Sequence, residues 1–309
     1  MREELILKLQ RLISLNCETE GILQKYKDSF EVLEFTSKED FYQYLQLYKE
    51  LCILQKNNLY QKIETLELLE KTAFKTIKNS LLIASTTETI AFAKEVGIAV
   101  LAYANPNLPQ QDFWGVEMVV EGFEEVEADF LEKAFQRFHN LPWTIAETKR
   151  CIIRELSLED MDGLFELYSH KELTRYTEKL FPYEQEKEYQ SAYIQNMYRY
   201  FGYGMWLIFL KETKELIGRA GLEHREYHGE AELELGYLIA PKFQKQGFAT
   251  EVCTEILNYA KQEVYFSHIN CLIEKDNIAS IALAEKLGFT FVEEMEEKGK
   301  QMLRFKRIL

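Results

Sequence analysis

"PKFQKQGFATEVCTEILNYAKQE", residues 241–263, sets Gly247 and Ala249 two apart where an apolar strand-like run gives way to a helical pattern. The spacing predicts a helix from about Thr250. The first turn of a helix leaves backbone N–H groups without partners and is the positive end of the helix dipole. A diphosphate can take those donors. Gly247 lets the backbone come close and adopt an unusual φ. Ala249 keeps the entry free of bulk, and Lys245 can meet a more exposed phosphate. Gln244, Lys245, Gln246, Gly247, Phe248, Ala249 and Thr250 form a candidate phosphate-binding loop. A short Gly-x-Ala turn is also, in many chains, only a turn.

The flanking sequence alternates strands and helices. Before the loop, "GMWLIFLKETKELIGRAGLEHREYHGEAELELGYLIA" offers three strands, near Met205–Lys211, Glu215–Glu223 and Ala231–Ile239. Further upstream come a strand at "RCIIREL", a helix at "SLEDMDGLFELYSH" with Ser157 as N-cap, and a helix at "EKEYQSAYIQNMYRYF". After the loop, "HINCLIEK" reads as a strand and "NIASIALAEKLGF" as a helix closed by Gly288. Two strands end the chain.

"ELELGYLIAPKFQKQGFATEV" followed by "IEKDNIASIALAEKLGFTF" resembles the GNAT superfamily of acyl-coenzyme A N-acyltransferases. The likeness is to the branch that includes ribosomal-protein N-terminal and polyamine acetyltransferases. It runs from about Arg150 to Leu309. Gln-x-x-Gly-x-Ala at Gln244–Ala249 matches the pyrophosphate loop, Asn277 with Ser280 the Asn-x-x-Ser element, and Glu285–Phe289 the closing turn. The resemblance implies a mixed, mostly antiparallel twisted sheet with flanking helices. It implies acetyl-CoA as acyl donor, no metal, and direct transfer to a primary amine of a small molecule or protein N-terminus. The strand Ala231–Ile239 should splay from His268–Lys275, freeing backbone groups near Leu238 and Ile239 for the amide-rich cofactor arm. Asn277 could bond that arm or serve as a plain N-cap.

Direct transfer needs a base, because ammonium is not a nucleophile. Glu234 in "ELGY" matches the carboxylate often found on this strand in the branch. Glu232 shares its face by alternation, and Glu223 is in reserve. Exposed strand glutamates with no such role are common. Many members place a tyrosine just before "EKLGF" to protonate the leaving thiolate. Here that position is Ala284, and Ser280 or water is expected instead. The rival reading is a non-catalytic acyl-CoA-binding sensor. His224 and His228 are read as exposed loop residues rather than a metal pair. Tyr198, Tyr200, Phe201, Tyr203 and Trp206 are offered as walls of the acceptor pocket or as ordinary core.

The chain has 309 residues and a net charge of −14, which suits two acidic globular domains. Up to Ala146 there are 15 basic and 23 acidic residues, and 22 and 28 after it. Neither half is basic, so no nucleic-acid partner is expected. Five scattered cysteines form no C-x-x-C pair, which points away from disulfides and zinc. Cys253 and Cys271 read as core. No run has the length of a membrane span, and the N-terminus lacks a signal peptide's pattern. A cytoplasmic protein without a membrane partner is expected.

The boundary is placed at 146/147, with "NLPWTIAETKR" as linker. Residues 1 to about 78 read as helices, including "QKIETLELLEKTAFKTIKN". From Ser80, "SLLIAS", "TTETIAFAKEVG", "IAVLAYA", "GVEMVVEGF" and "EEVEADFLEKAFQRFH" read as strand, helix, strand, strand and helix, hence a small parallel sheet. "NSLLIASTTETIAFAKEVGIAVLAYANPN" resembles the C-terminal part of a haloacid-dehalogenase-like phosphatase, or a generic Rossmann-like unit. The acidic metal pair of that family is replaced by Ser85 and Thr86, and no upstream strand ending in Asp-x-Asp is found. Residues 1–146 are therefore expected to be a non-catalytic module for binding, regulation or homodimer formation.

Overall fold

The computed structural model describes residues 8–19, 21–56, 78–109, 111–170, 172–264 and 266–309. The chain divides into two compact units, Met1–Leu141 and Pro142–Leu309.

The first unit is built on five parallel strands: β1 (Arg11–Leu15), β2 (Glu31–Phe35), β3 (Ser80–Ala84), β4 (Ala99–Tyr103) and β5 (Val119–Val120). Their order is β2-β1-β3-β4-β5. Among the described residues the α-helices longer than one turn are α1 (Lys38–Lys56), α2 (Thr87–Val96) and α3 (Ala128–Phe138). Leu12, Leu81, Ile83 and Leu101 pack with Phe135 of α3 on one face. Ile13, Leu82 and Val100 pack with Phe41 of α1 and Ile90 of α2 on the other. The sheet is therefore covered on both sides, as parallel sheets require.

The all-helical expectation for residues 1–78 fails at β1 and β2. In "RLISL" the apolar spacing imitates a helix, but β1 lies between β2 and β3. A strand buried on both faces reads as a continuous apolar run, which periodicity cannot separate from a helix segment. Ser37 does begin α1, its Oγ accepting from the Asp40 N–H at 3.3 Å. The helix expected at 61–79 lies almost wholly outside the described residues. α2 keeps its expected ends: the Thr86 side chain accepts from the Thr89 N–H, and Gly97 closes it at φ 75°. "GVEMVVEGF" yields only the two-residue β5.

The second unit holds an eight-stranded sheet of order β12-β13-β11-β10-β9-β8-β7-β6. The strands are β6 (Thr144–Glu147), β7 (Cys151–Arg154), β8 (Met205–Leu210), β9 (Leu216–Tyr227), β10 (Glu230–Ile239), β11 (His268–Glu274), β12 (Thr290–Glu297) and β13 (Lys300–Ile308). All neighbours are antiparallel except β10 and β11. The helices are α4 (Met161–Tyr168), α5 (Tyr183–Tyr193), α6 (Phe248–Glu263) and α7 (Ile278–Lys286). α5 runs on as a wider π-helix, Ile194–Phe201. Ser157 and Asp160 form a capping box ahead of α4. Because β6 pairs with β7, "TIAE" belongs to this sheet and is not linker. His228 and Gly229 join β9 to β10 with φ of 54° and 84°, the primed hairpin turn that right-twisted strands favour. β9 therefore runs on to Tyr227, which places His224 on a strand.

Candidate active site

β10 and β11 pair only at Leu233–Ile269 and Glu234–Asn270. Beyond Glu234 they part. The bond from the Ala240 N–H to the Ile217 carbonyl fixes the β10 ladder. By alternation, Leu238 turns its amide groups toward β9, while Tyr237 and Ile239 turn theirs to the open side. Leu238 was expected among the free groups. The Ile239 carbonyl is already taken by Gln244 Nε2 at 2.8 Å.

The opening quotation folds as read, two residues early: α6 starts at Phe248, so Thr250 lies in its first turn. Gly247 holds the cap position at φ 84° with no side-chain cap bond. Lys245 also has positive φ, 58°. Gln244, Lys245, Gln246 and Gly247 are exposed, Phe248 is buried, and Ala249 lies between. The loop is held from β7's edge by Arg150, which the motif did not reveal. Its guanidinium lies 3.8 Å over the Phe248 ring, Nη1 donates to the Gln246 carbonyl at 3.1 Å, and Nε bonds Glu251 at 2.7 Å. Glu251 further accepts from the Arg150 N–H and Thr148 Oγ1, which holds its carboxyl below the usual range against burial. These contacts brace the loop, and no side chain caps the helix behind it.

A cavity of about 660 Å³ occupies the parting of the strands. Glu223, Glu234, Tyr237, Leu238, Asn277 and Ser280 all reach it. Glu234 is 9% exposed. Burial raises its pKa; the Tyr227 hydroxyl at 2.6 Å and Arg225 Nε at 3.6 Å oppose this only in part. Glu223 stands directly opposite in the β9–β10 register. Glu232 shares Glu234's face but has a different environment. Its Oε2 lies 2.8 Å from Arg304 Nη2, 2.6 Å from Asn270 Nδ2 and 2.8 Å from His268 Nε2. These partners outweigh burial and pull its pKa down to about 2. A carboxylate so stabilised is a poor proton acceptor, which separates two residues that alternation left equal.

Asn277 caps α7, its Oδ1 accepting from the Ser280 N–H at 3.2 Å. Ser280 Oγ accepts from the Tyr237 hydroxyl at 2.9 Å. Burial keeps that phenol's pKa well above its ordinary value. Tyr237 was not singled out from sequence; its place in "ELGY" one strand step from the open edge was the available signal. Ala284 also lines the cavity.

The proposed aromatic wall is corrected. Tyr198, Tyr203 and Trp206 are core residues, and Tyr200 and Phe201 face outward. The Tyr198 hydroxyl bonds the Met205 carbonyl and the Trp206 ring meets Tyr259 edge-on at 5.2 Å. The rings that line the cavity are instead Tyr168, Tyr176, Phe181, Tyr189 and Tyr237. His228 Nε2 lies 2.9 Å from Glu293, and among the described residues no group of three His, Cys, Asp or Glu could hold a metal. Cys253 and Cys271 are buried free thiols; burial pushes Cys253 up to about 12 and Cys271 well above its ordinary value.

In the first unit, Ser85 and Thr86 end β3 as read. An upstream strand does exist, β1, and it leads into Asn16-Cys17-Glu18 rather than Asp-x-Asp. Glu18 is 1% exposed. Its carboxylate accepts from the Ser85 N–H (2.6 Å), the Thr86 N–H (3.2 Å), Thr86 Oγ1 (2.9 Å) and Thr89 Oγ1 (2.6 Å). The N-terminus of α2 is thus filled from within.

An acyltransfer fold is what the parted strands, the uncapped glycine turn and the buried carboxylate describe. A family model for the acetyltransferase (GNAT) domain matches residues 150–290. The uncharacterized N-acetyltransferase YoaA of Bacillus subtilis (strain 168) is 33% identical over 147 residues, 47% of this chain and 82% of its own length. The uncharacterized protein YkkB of the same organism is 27% identical over 161 residues, 52% of this chain and 93% of its own. A solved structure, the ribosomal L7/L12 alpha-N-protein acetyltransferase RimL with coenzyme A, is 20% identical with a TM-score of 0.47, over 54% of this chain and 98% of that one. The chain belongs to the GNAT acetyltransferase family and is an N-acetyltransferase. In the described residues no helix is long and apolar enough to cross a membrane.

Proposed function

We propose that the second unit transfers an acetyl group directly from acetyl-CoA to a primary amine of a small molecule or a protein N-terminus. The observation that carries this is that the buried Glu234 and the open edge of β10 share one cavity, with the uncapped N-terminus of α6 behind Gly247 following β10 within nine residues of its end at Ile239. The first-turn N–H groups suit a diphosphate, and the exposed edge at Tyr237 and Ile239 suits an arm with amide groups. Acetyl-CoA, when bound, supplies an activated thioester. Glu234 takes the proton from the ammonium, whose nitrogen then attacks the acetyl carbon as the carbon–sulfur bond breaks. In this reading Ser280 gives its hydroxyl proton to the leaving sulfur and regains one from the nitrogen, which sheds its second proton as the amide forms. Because Tyr237 donates to its Oγ, the serine's own hydrogen is free to point into the cavity.

The second reading, a non-catalytic acyl-CoA sensor, is favoured by Ala284, which stands where many members carry the acid tyrosine. Both readings predict cofactor binding. The test is free-thiol release with acetyl-CoA and a panel of peptide N-termini, polyamines and amino sugars. Tight cofactor binding without thiol release from any amine would leave the sensor standing.

A further inference from the structure

Of the basic side chains that line the cavity, most have a carboxylate partner. Arg225 reaches Glu234 and Glu297, Lys298 pairs with Glu178, and Lys300 with Glu274. Arg219 is different. It is 7% exposed, it lines the cavity, and its buried Nε has no partner. Its neighbours are phenols: the Tyr168 hydroxyl bonds it, and the Tyr193 ring centre lies 5.9 Å away. Among the described residues no carboxylate lies within 4 Å of it. An arginine withdrawn from water without a counter-ion is costly, and an anion brought by a ligand would remove that cost.

A second orphan lies in the same cavity. Gln190 is fully buried, its Nε2 donates to Glu186 Oε1 at 2.6 Å, and its Oε1 has no donor. The amide orientation is fixed by that bond, since the flipped form would set oxygen against a carboxylate. The cavity therefore holds an unmatched donor and an unmatched acceptor.

We infer that Arg219 binds a carboxylate of the acyl acceptor, so that the acceptor is an amine bearing a carboxylate several bonds away rather than a polyamine. This rests on the acetyl-transfer reading above. The β9–β10 register sets Arg219 opposite Leu238 and Glu223 opposite Glu234, all on one face. Arg219 and Glu223 are thus four steps apart, about 13 Å along the strand. Two long side chains close part of that distance, which suits an ω-amino acid or short peptide and is too long for an α-amino acid held at both ends. A monoanion fits better than a phosphate dianion, because Glu186, Glu223 and Glu234 share the cavity. Gln190 Oε1 would receive an N–H or O–H of the acceptor.

The test uses the full chain with 6-aminohexanoate, 6-aminohexanamide and hexane-1,6-diamine. Thiol release should favour the carboxylate over the other two by roughly tenfold or more in kcat/KM. R219Q should abolish that preference by raising KM for the carboxylate far more than for the diamine; R219K, which keeps the charge, should retain part of it. Calorimetry with 6-aminohexanoate gives a readout independent of turnover: binding to the wild type and its loss in R219Q support the site. Preference for the diamine, an equal loss for all three amines in R219Q, or no binding to the wild type overturns it. Absence of thiol release from every amine, with 6-aminohexanoate still bound through Arg219, would instead sink the acetyl-transfer reading alone.

Discussion

Both units present a helix N-terminus beyond the end of a strand, and they treat it in opposite ways. In the first unit Glu18 sits at the start of α2, accepting four hydrogen bonds from the Ser85 and Thr86 N–H groups and the Thr86 and Thr89 hydroxyls, and Thr86 Oγ1 caps the Thr89 N–H. In the second unit α6 begins behind a glycine with no side-chain cap, next to strands that have parted. Unsatisfied backbone donors are tolerated where a ligand or water can take them. The contrast separates an anion seat occupied by the chain's own carboxylate from one left open. Order β2-β1-β3-β4-β5 puts Glu18 beside the switch between β1 and β3, where doubly wound sheets commonly receive ligands. The first unit has a parallel sheet with that seat filled.

The largest expected effect lies in the open unit. Glu234→Gln preserves shape and removes the proton acceptor, so kcat should fall by about 10²–10⁴-fold with cofactor affinity nearly unchanged. The base acts deprotonated and its pKa is raised by burial. The rate should therefore fall with decreasing pH through a value above the ordinary carboxylate range, and the variant should lose that limb. An unchanged rate in this variant, with Glu223→Gln inactive, would move the role across the strand pair.

Next in size is the filled seat. Glu18→Ala leaves the buried Ser85 N–H and Thr89 Oγ1 and the half-buried Thr86 N–H without this acceptor and should destabilise the first unit by about 2–4 kcal/mol. Thermal unfolding would show it, while acetyl-CoA affinity should not move. Unaltered stability would mean that Glu18 is not what holds β1 to the start of α2, and the contrast between the two units would collapse.

The open seat itself comes third. Gly247→Val places a β-branched residue at φ 84°, and its side chain would project from the loop; only Arg150 Nη2 lies within 4 Å of the added Cβ, at 3.6 Å. The cost is backbone strain and lost approach rather than a clash. Coenzyme A affinity should fall roughly 10–100-fold in calorimetry with the fold kept. Equal affinity in the variant would remove the phosphate reading of the turn.

Legibility followed the kind of signal each region carries. The glycine turn ahead of α6 and the caps at Ser157 and Asn277 were readable because turn and cap chemistry is local. β1 was not, because a strand buried on both faces lacks the period-2 pattern. Glu18 was hidden with it: its partners lie 67 to 71 residues away. The same holds at the second site. Glu232 and Glu234 were equivalent by alternation, and distant partners of Glu232 distinguish them: Asn270 on β11, 38 residues away, and Arg304 on β13, 72 residues away. Of the two readings of the aromatic run, core packing holds for Tyr198, Tyr203 and Trp206, and neither holds for Tyr200 and Phe201. Sequence shows that rings are present near a site but not which side of a π-helix they take.

The smallest effect is expected from separating the units. A chain starting at Pro142 keeps β6, which a cut at 146/147 would have removed from the edge of the eight-stranded sheet. It also keeps Thr148, Arg150 and their bonds to Glu251 and Gln246, which hold the cofactor loop. Every group that lines the cavity lies within it. This shorter chain should unfold cooperatively and bind acetyl-CoA as the full chain does. The first unit alone should release no phosphate from a generic ester with magnesium, because a phosphoaspartyl route needs a carboxylate nucleophile and acidic metal ligands. β1 leads into Asn16 where that nucleophile would stand, Ser85 and Thr86 end β3, and the Glu18 carboxylate is already engaged. Phosphate release by the first unit, or aggregation of the chain from Pro142, would break the division into a parallel sheet with a filled seat and a self-sufficient acyltransferase.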